Sequence, residues 1–302
     1  MHSKLILRLA AVVLALLALP AVAALNVFAT VPEWAALARE IGGDRVQVFA
    51  ATNALQDPHR IEAKPSLIAR ARSSQLVVAT GADLEIGWLP MVLRESGNAA
   101  IQPGQPGYFE AAGAVRLIEV PARLDRADGD VHPGGNPHIQ TDPRNILKVA
   151  DALASRMSRV DPAGAGAYSA NLARFSERWK AAMARWEQAA APLRGVPVWV
   201  QHRSFAYMAD WLGIKELGAL EAKPGVEPGS SHLAGLLERQ KATPGRMILR
   251  AAYSRPTASD WLGERAGIPV VVLPFTVGGS PAATDLVGLF DDTVQRLLAG
   301  LR

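Results

Sequence analysis

The sequence predicts an α/β protein of two lobes, each a mainly parallel sheet flanked by helices, joined by one long spine helix. Three observations carry this. Short apolar strands alternate with helical patterns from residue 25 onward, the signature of β-α-β units. An unbroken amphipathic pattern of nearly thirty residues then runs from Ala163 to Ala191. At ~1.5 Å per residue it spans roughly 40 Å, too long for a simple crossover. After it the strand-helix alternation resumes, so the long helix reads as a bridge between lobes.

The elements follow in order. Leu25 to Ala29 is an apolar strand, and Pro32 to Ile41 a helix closed by Gly42-Gly43. Arg45 to Ala50 alternates as a strand and enters a loop from Asn53 to His59. Pro65 to Ser73 is helical, Gln75 to Ala79 a buried strand, Glu85 to Ser96 a helix, and Val115 to Val120 a further strand. Asp142-Pro143 gives an N-cap with proline at the first helical position, opening a helix to about Arg159. On the long helix, Tyr168, Leu172, Phe175, Trp179, Met183 and Trp186 recur at three or four residues, the stripe of a buried face. Strands are then expected at Val196 to Val200, Ile214 to Leu220, Arg246 to Leu249 and Ile268 to Leu273. Helices are expected at Ser204 to Leu212, at Ser230 to Lys241 with Ser230 as cap, at Thr257 to Ala266 and at Asp285 to Leu301. Glu85 and Trp88 read as capping and packing a helix, and Asp291-Asp292 as a solvated pair.

The N-terminus orders a basic segment with Lys4 and Arg8, an apolar run from Leu9 to Leu19, Pro20, and the small residues Ala21 to Ala24. That is the order of a secretory signal peptide, and the run is shorter than the ~20 residues of a spanning helix. An exported, soluble protein beginning near Ala24 or Leu25 is expected. The divisions are 1–24 signal peptide, 25–160 N-terminal lobe, 161–191 linking helix and 192–302 C-terminal lobe. Net charge is +4, with basic residues scattered and no basic stripe, which argues against a nucleic-acid partner. Cysteine is absent, excluding disulfides, thiolate metal sites and cysteine nucleophiles.

The chemistry lies in the histidines. Asp130-Val-His132-Pro-Gly-Gly-Asn-Pro-His138 sets two of them six apart in a loop that its prolines and glycines keep from becoming helix or strand. His59 follows one strand-end and His202 another, at the carboxyl ends where open α/β sheets place ligands. One such histidine is more often a capping or core residue. Three beside strand-to-helix loops from two lobes point to a shared metal site. His232, on a helix face, reads as a surface residue. Imidazole suits zinc, copper, nickel or iron better than manganese or magnesium.

These residues also sit in words that resemble the solute-binding proteins of bacterial ABC importers for zinc and manganese. The words are Asp57-Pro-His59 with Glu62 and Pro65-Ser66, Gly81 to Glu85 with Trp88, and Asn136-Pro-His138 with Asp142-Pro143. Asp161-Pro162 with Tyr168 and Asn171, His202 to Tyr207 with Gly213, and Val226-Glu-Pro228 with Ser231 complete the set. The resemblance implies one metal in the cleft between the lobes, with His59 and His138 as N-lobe ligands. It implies His202 as the third, a position held by histidine in zinc-type members and glutamate in manganese-type ones. It further implies zinc as cargo rather than a resident cofactor, a periplasmic location, delivery to an ABC membrane permease, and a monomer.

The family's fourth ligand, usually an aspartate, falls in the loop Pro274 to Ser280, where the aligned residue is Val277. Valine cannot bind metal. The site is then three histidines plus water, or draws a ligand from elsewhere, with His132 the first candidate and Glu62 or Asp285 weaker ones. Asp125, Asp128, Asp130 and His132 read either as a shortened metal-capturing loop or as an ordinary polar surface loop. Two other functions are open: a carrier of another metal or a metal chelate (iron, manganese), and a three-histidine zinc hydrolase. The hydrolase lacks a carboxylate spaced as a general base and any nucleophile motif, so a non-enzyme is expected.

Overall fold

A computed structural model describes residues 24–121 and 129–302. The proposed signal segment, together with Asp125 and Asp128, lies outside the described residues. Two four-stranded sheets form the framework, and every recorded strand pair in them is parallel. The first contains β1 (Leu25–Ala29), β2 (Val46–Ala50), β3 (Leu76–Ala79) and β4 (Tyr108–Glu110) in the order β2-β1-β3-β4. The second contains β5 (Pro197–Val200), β6 (Lys215–Ala219), β7 (Met247–Ala251) and β8 (Val270–Leu273) in the equivalent order β6-β5-β7-β8.

Helices cover the sheet faces, as buried parallel strands require. In the first half these are α1 (Pro32–Gly42), α2 (Pro65–Arg72), α3 (Leu89–Ser96) and α4 (Pro143–Val160). Asp142 caps α4 by accepting from the Arg144 amide, with Pro143 in the first turn. In the second half they are α6 (Ala206–Leu212), α7 (Ser230–Ala242), α8 (Thr257–Ala266) and α9 (Leu286–Leu301). Gly213 ends α6 in the left-handed conformation.

Between the halves lies α5 (Ala165–Ala189), flanked by short 3-10 turns. Its first half serves the N-terminal lobe: Asn171 donates to the Ile41 carbonyl at 2.8 Å, and Arg178 pairs with Glu40. Trp179 donates to the Pro143 carbonyl and stacks on Phe175. The second half serves the C-terminal lobe, where Trp186 stacks on Phe290 and donates to Asp291. Buried side chains from both sheets and this helix form one continuous core. The lobes are thus packed onto a common spine rather than hung from a flexible linker.

Four expectations are corrected. Val115 to Val120 is not a strand; the ladder partner of β3 is Tyr108–Glu110, and 115–120 has no sheet neighbour among the described residues. Glu85 does not cap a helix: its carboxylate accepts from the amides of Thr80 and Gly81 in the turn before α3. Ser230 is the first residue of α7, whose N-cap is Gly229, with no side-chain cap. Asp292 is buried, bonded to Ser280 and Arg296, and Asp291 accepts from Trp186.

Truncating Trp179 removes a fully buried ring from the shared core, so Trp179→Ala is expected to cost about 3–5 kcal/mol. Chemical denaturation followed by a probe in each lobe should show both transitions shifting together. A shift confined to one lobe would contradict the common core.

Candidate metal centre

Each of the three central histidines is delivered by a different loop. His59 stands on the turn after β2. Asp57 shapes that turn by accepting from the His59 amide at 3.0 Å, and Trp88 holds its base by donating to the Pro58 carbonyl at 3.0 Å. His138 is fixed by Asn136, whose side-chain oxygen accepts from the His138 amide at 2.9 Å. The Asn136 side-chain nitrogen donates to Glu119 and to the Arg203 carbonyl. The Tyr207 hydroxyl donates to the Asn136 carbonyl at 2.7 Å, so the C-terminal lobe also grips this loop. His202 directly follows β5 and Gln201.

The three rings converge. One nitrogen from each of His59, His138 and His202 lies within 4.8 Å of the others, and no other group of three or more possible ligands comes together among the described residues. The Nε2 atoms of His138 and His202 are 3.4 Å apart. Two nitrogens at ~2.05 Å in a tetrahedral site are separated by about 3.3 Å, so this pair already has ligand spacing.

Carboxylates behind two rings set their orientation. Asp57 bonds the Nδ1 of His59 at 2.8 Å, and Glu221 bonds the Nδ1 of His202 at 2.7 Å. With Nδ1 as the protonated nitrogen, each Nε2 lone pair faces the centre. The Nε2 of His59 is buried without a partner. A buried nitrogen with no hydrogen bond is costly, and a metal would satisfy it. Burial pushes the Asp57 carboxyl up, but the hydrogen bonds from His59 outweigh it and hold Asp57 below the usual carboxylate range.

His138 is fully buried, and burial together with His59, His202 and His132 drives its pKa well below 6.5. It stays neutral at physiological pH, the form that ligates. His132 lies at the edge, its ring centroid 5.3 Å from that of His59 and 6.5 Å from that of His138. Burial and the neighbouring rings push it down to about 4. It adjoins the cluster without joining the nitrogens at ligand spacing.

The weaker fourth-ligand candidates stand apart. Asp285 caps α9, and Glu62 is exposed and outside the cluster. Val277 turns into a groove with Ala36, Asn171, Phe175 and Asp285 that no histidine lines. The nearby contribution of that loop is Phe275, edge-on to His138 with centroids 5.5 Å apart. His232 lies on α7, outside the cluster.

Sequence reasoning missed Asp57 and Glu221 as orienting groups. Asp57 was legible as an Asx turn ending in a histidine. Glu221 followed only from register: Val200 pairs with Ala219, so His202 and Glu221 emerge side by side from neighbouring strands.

A family model described as zinc-uptake complex component A, periplasmic, matches residues 27–300. The zinc-binding lipoprotein AdcA of Streptococcus pneumoniae serotype 4 is 21% identical over 239 residues, 78% of this chain and 46% of that protein. The chain thus spans about half the length of that relative. The manganese ABC transporter substrate-binding lipoprotein PsaA of Streptococcus pneumoniae is 22% identical over 247 residues, 80% of this chain and 76% of that one. A crystal structure of ZnuA superposes with a TM-score of 0.75 at 23% identity, covering 92% of this chain and 100% of that one, and shows a shared fold.

A buried neutral histidine makes the metal-free protein sensitive to acid. The unfolded chain protonates His138 near its ordinary 6.5, while the folded chain resists, so stability falls as pH drops below about 6.5. Glu33, whose burial raises its carboxyl to about 7, works in the opposite sense and cancels when parent and variant are compared. The stability difference between the metal-free parent and His138→Gln should therefore be flat above about pH 7.5. Below pH 6.5 the parent should lose about 1.4 kcal/mol per pH unit relative to the variant. Urea melts across that range measure it, and a difference that stays flat would contradict a neutral, buried His138.

Proposed function

The chain belongs to the family of zinc-uptake complex component A periplasmic proteins, and we propose that it captures zinc between its lobes and hands it to an ABC import permease. Its family consists of substrate-binding proteins of ABC importers, not enzymes. The observation that carries the choice of zinc is the donor set: three imidazole nitrogens within 4.8 Å of one another, with no carboxylate among them. Nitrogen donors suit zinc, whereas manganese prefers oxygen-rich sites. His59, His138 and His202 are the ligands in this reading. The fourth position belongs to water or to His132, whose ring stands beside His59.

The residues divide the work. Asp57 and Glu221 hold Nδ1 protons and make the opposite nitrogens better donors. They also bring negative charge near a divalent ion without entering its coordination shell. Burial of His138 keeps a proton from competing for the site at neutral pH. Export by residues 1–24 and a periplasmic location fit the family's description. The chain acts as a monomer in this account, with the permease and the metal ion as its partners.

Competition titration against a zinc chelator tests the reading. His59→Ala, His138→Ala and His202→Ala should each weaken zinc binding by about 100-fold or more, since each removes one of three strong donors. Manganese should compete poorly. Equal affinity for both metals, or a His202→Ala variant binding as tightly as the parent, would contradict the assignment.

The groove-facing side chain at 277 gives a second expectation. Val277→Asp should leave zinc affinity within about threefold of the parent, because residue 277 lines a groove that no histidine shares. A tightening of tenfold or more in the same titration would place that loop at the metal.

A further inference from the structure

We propose that Gly129 to His132 form a strap closed over the three histidines, and that its opening sets how fast metal enters and leaves. The inference rests on the three-histidine reading above.

The strap is a partition. A cavity of about 320 Å³ reaches His138 and His202 and is lined by Glu119, Val120, Asp130 and His132. A second, of about 460 Å³, reaches His59 and is lined by Asp83, Ile86 and the same Asp130 and His132. Only the segment through Asp130, Val131 and His132 belongs to both. Lifting it would join the two spaces and expose the histidines to solvent from either side.

Contacts across the cleft hold the strap down. The Asp130 amide donates to the Pro224 carbonyl at 3.0 Å, tying the strap to the turn after β6. Arg60, next to His59, donates to the Gly225 carbonyl at 2.7 Å and reaches Asp130 at 3.4 Å. The Gly225 amide in turn donates to Glu221 at 2.7 Å, on the same oxygen that bonds His202. One connected set of hydrogen bonds therefore runs from the neighbour of His59, through strap and turn, to the partner of His202.

Two glycines make this approach possible. A β-carbon at Gly129, where φ is +85°, would lie 2.3 Å from the Pro224 carbonyl oxygen. One at Gly225, where φ is +74°, would lie 1.9 Å from the Asp130 carboxylate. Both positions need the left-handed backbone and the missing side chain. The hold is nevertheless light: the Arg60 and Asp130 side chains are 60% and 33% exposed, and exposed ion pairs contribute little. A closure that is well fitted but weakly held suits a gate that must open to transfer its cargo.

A gate differs from a ligand in its kinetics, because opening it speeds entry and exit together. Stopped-flow capture of zinc by the metal-free protein, and release from the zinc-loaded protein to a chromogenic chelator, reads both. Gly129→Ala should raise both rates by about tenfold and Arg60→Ala by about threefold, with the dissociation constant moving less than either rate. Amide exchange at Asp130 in the metal-free protein reads closure directly, protected in the parent and released in Gly129→Ala. Rates within twofold of the parent in both variants would overturn the strap, as would weaker binding with an unchanged entry rate. If parent zinc binding survives loss of His59, His138 and His202, the three-histidine reading falls and the strap's role with it. If zinc needs the histidines but the strap variants are kinetically silent, only the strap fails.

Discussion

The arrangement depends on holding three imidazole rings close together, that of His138 buried and those of His59 and His202 partly so. Left alone, such a cluster is unfavourable, since each nitrogen loses water and gains only other nitrogens as neighbours. The fold sustains it by fixing two rings from behind and the third through its backbone. Asp57 and Glu221 anchor two of them through Nδ1, and Asn136 fixes the loop carrying the third. In the proposed reading an ion would satisfy the Nε2 of His59, which has no partner, and replace the contact between the Nε2 atoms of His138 and His202.

Rigidity of the frame lets loops from two lobes meet to within ångströms. The helix Ala165–Ala189 contributes Phe175, Trp179 and Trp186 to a core drawn from both sheets, so the lobes cannot swing freely about it. Further ties cross between lobes near the site: Tyr207 to the Asn136 loop, Arg203 to Glu119, and Arg144 to Asp210. Glu33 on α1 is buried and bonded by Thr276, the neighbour of Phe275, which packs on His138. The proposed closure over the metal accordingly falls to a loop, the strap at Gly129 to His132, rather than to whole lobes.

Much of this was legible in the sequence where local chemistry decides structure. Proline after a capping aspartate started the helix Pro143–Val160, Gly213 ended Ala206–Leu212, and the aromatic stripe announced the spine. His59 and His202 could be placed beyond strand ends because one strand alternates, Arg45 to Ala50, and the other, Val196 to Val200, is a short apolar run. What failed depended on partners distant in the chain. Val115 to Val120 has the β-branched character of a strand, but its backbone bonds go to Asn136 and Tyr207, and the ladder place went to the shorter Tyr108–Glu110. Asp292 is acidic and sits on a helix, yet Ser280 and Arg296 make its burial tolerable. The direction of Val277 likewise follows from how its loop meets α1 and the spine, which no local pattern encodes.

X-ray absorption at the zinc edge of the loaded protein tests the central claim most directly. Nitrogen is expected as the directly bound atom near 2.0–2.1 Å, with the more distant scattering of at least three imidazole rings. Oxygen as the dominant directly bound atom, or scattering from one imidazole or none, would contradict that claim.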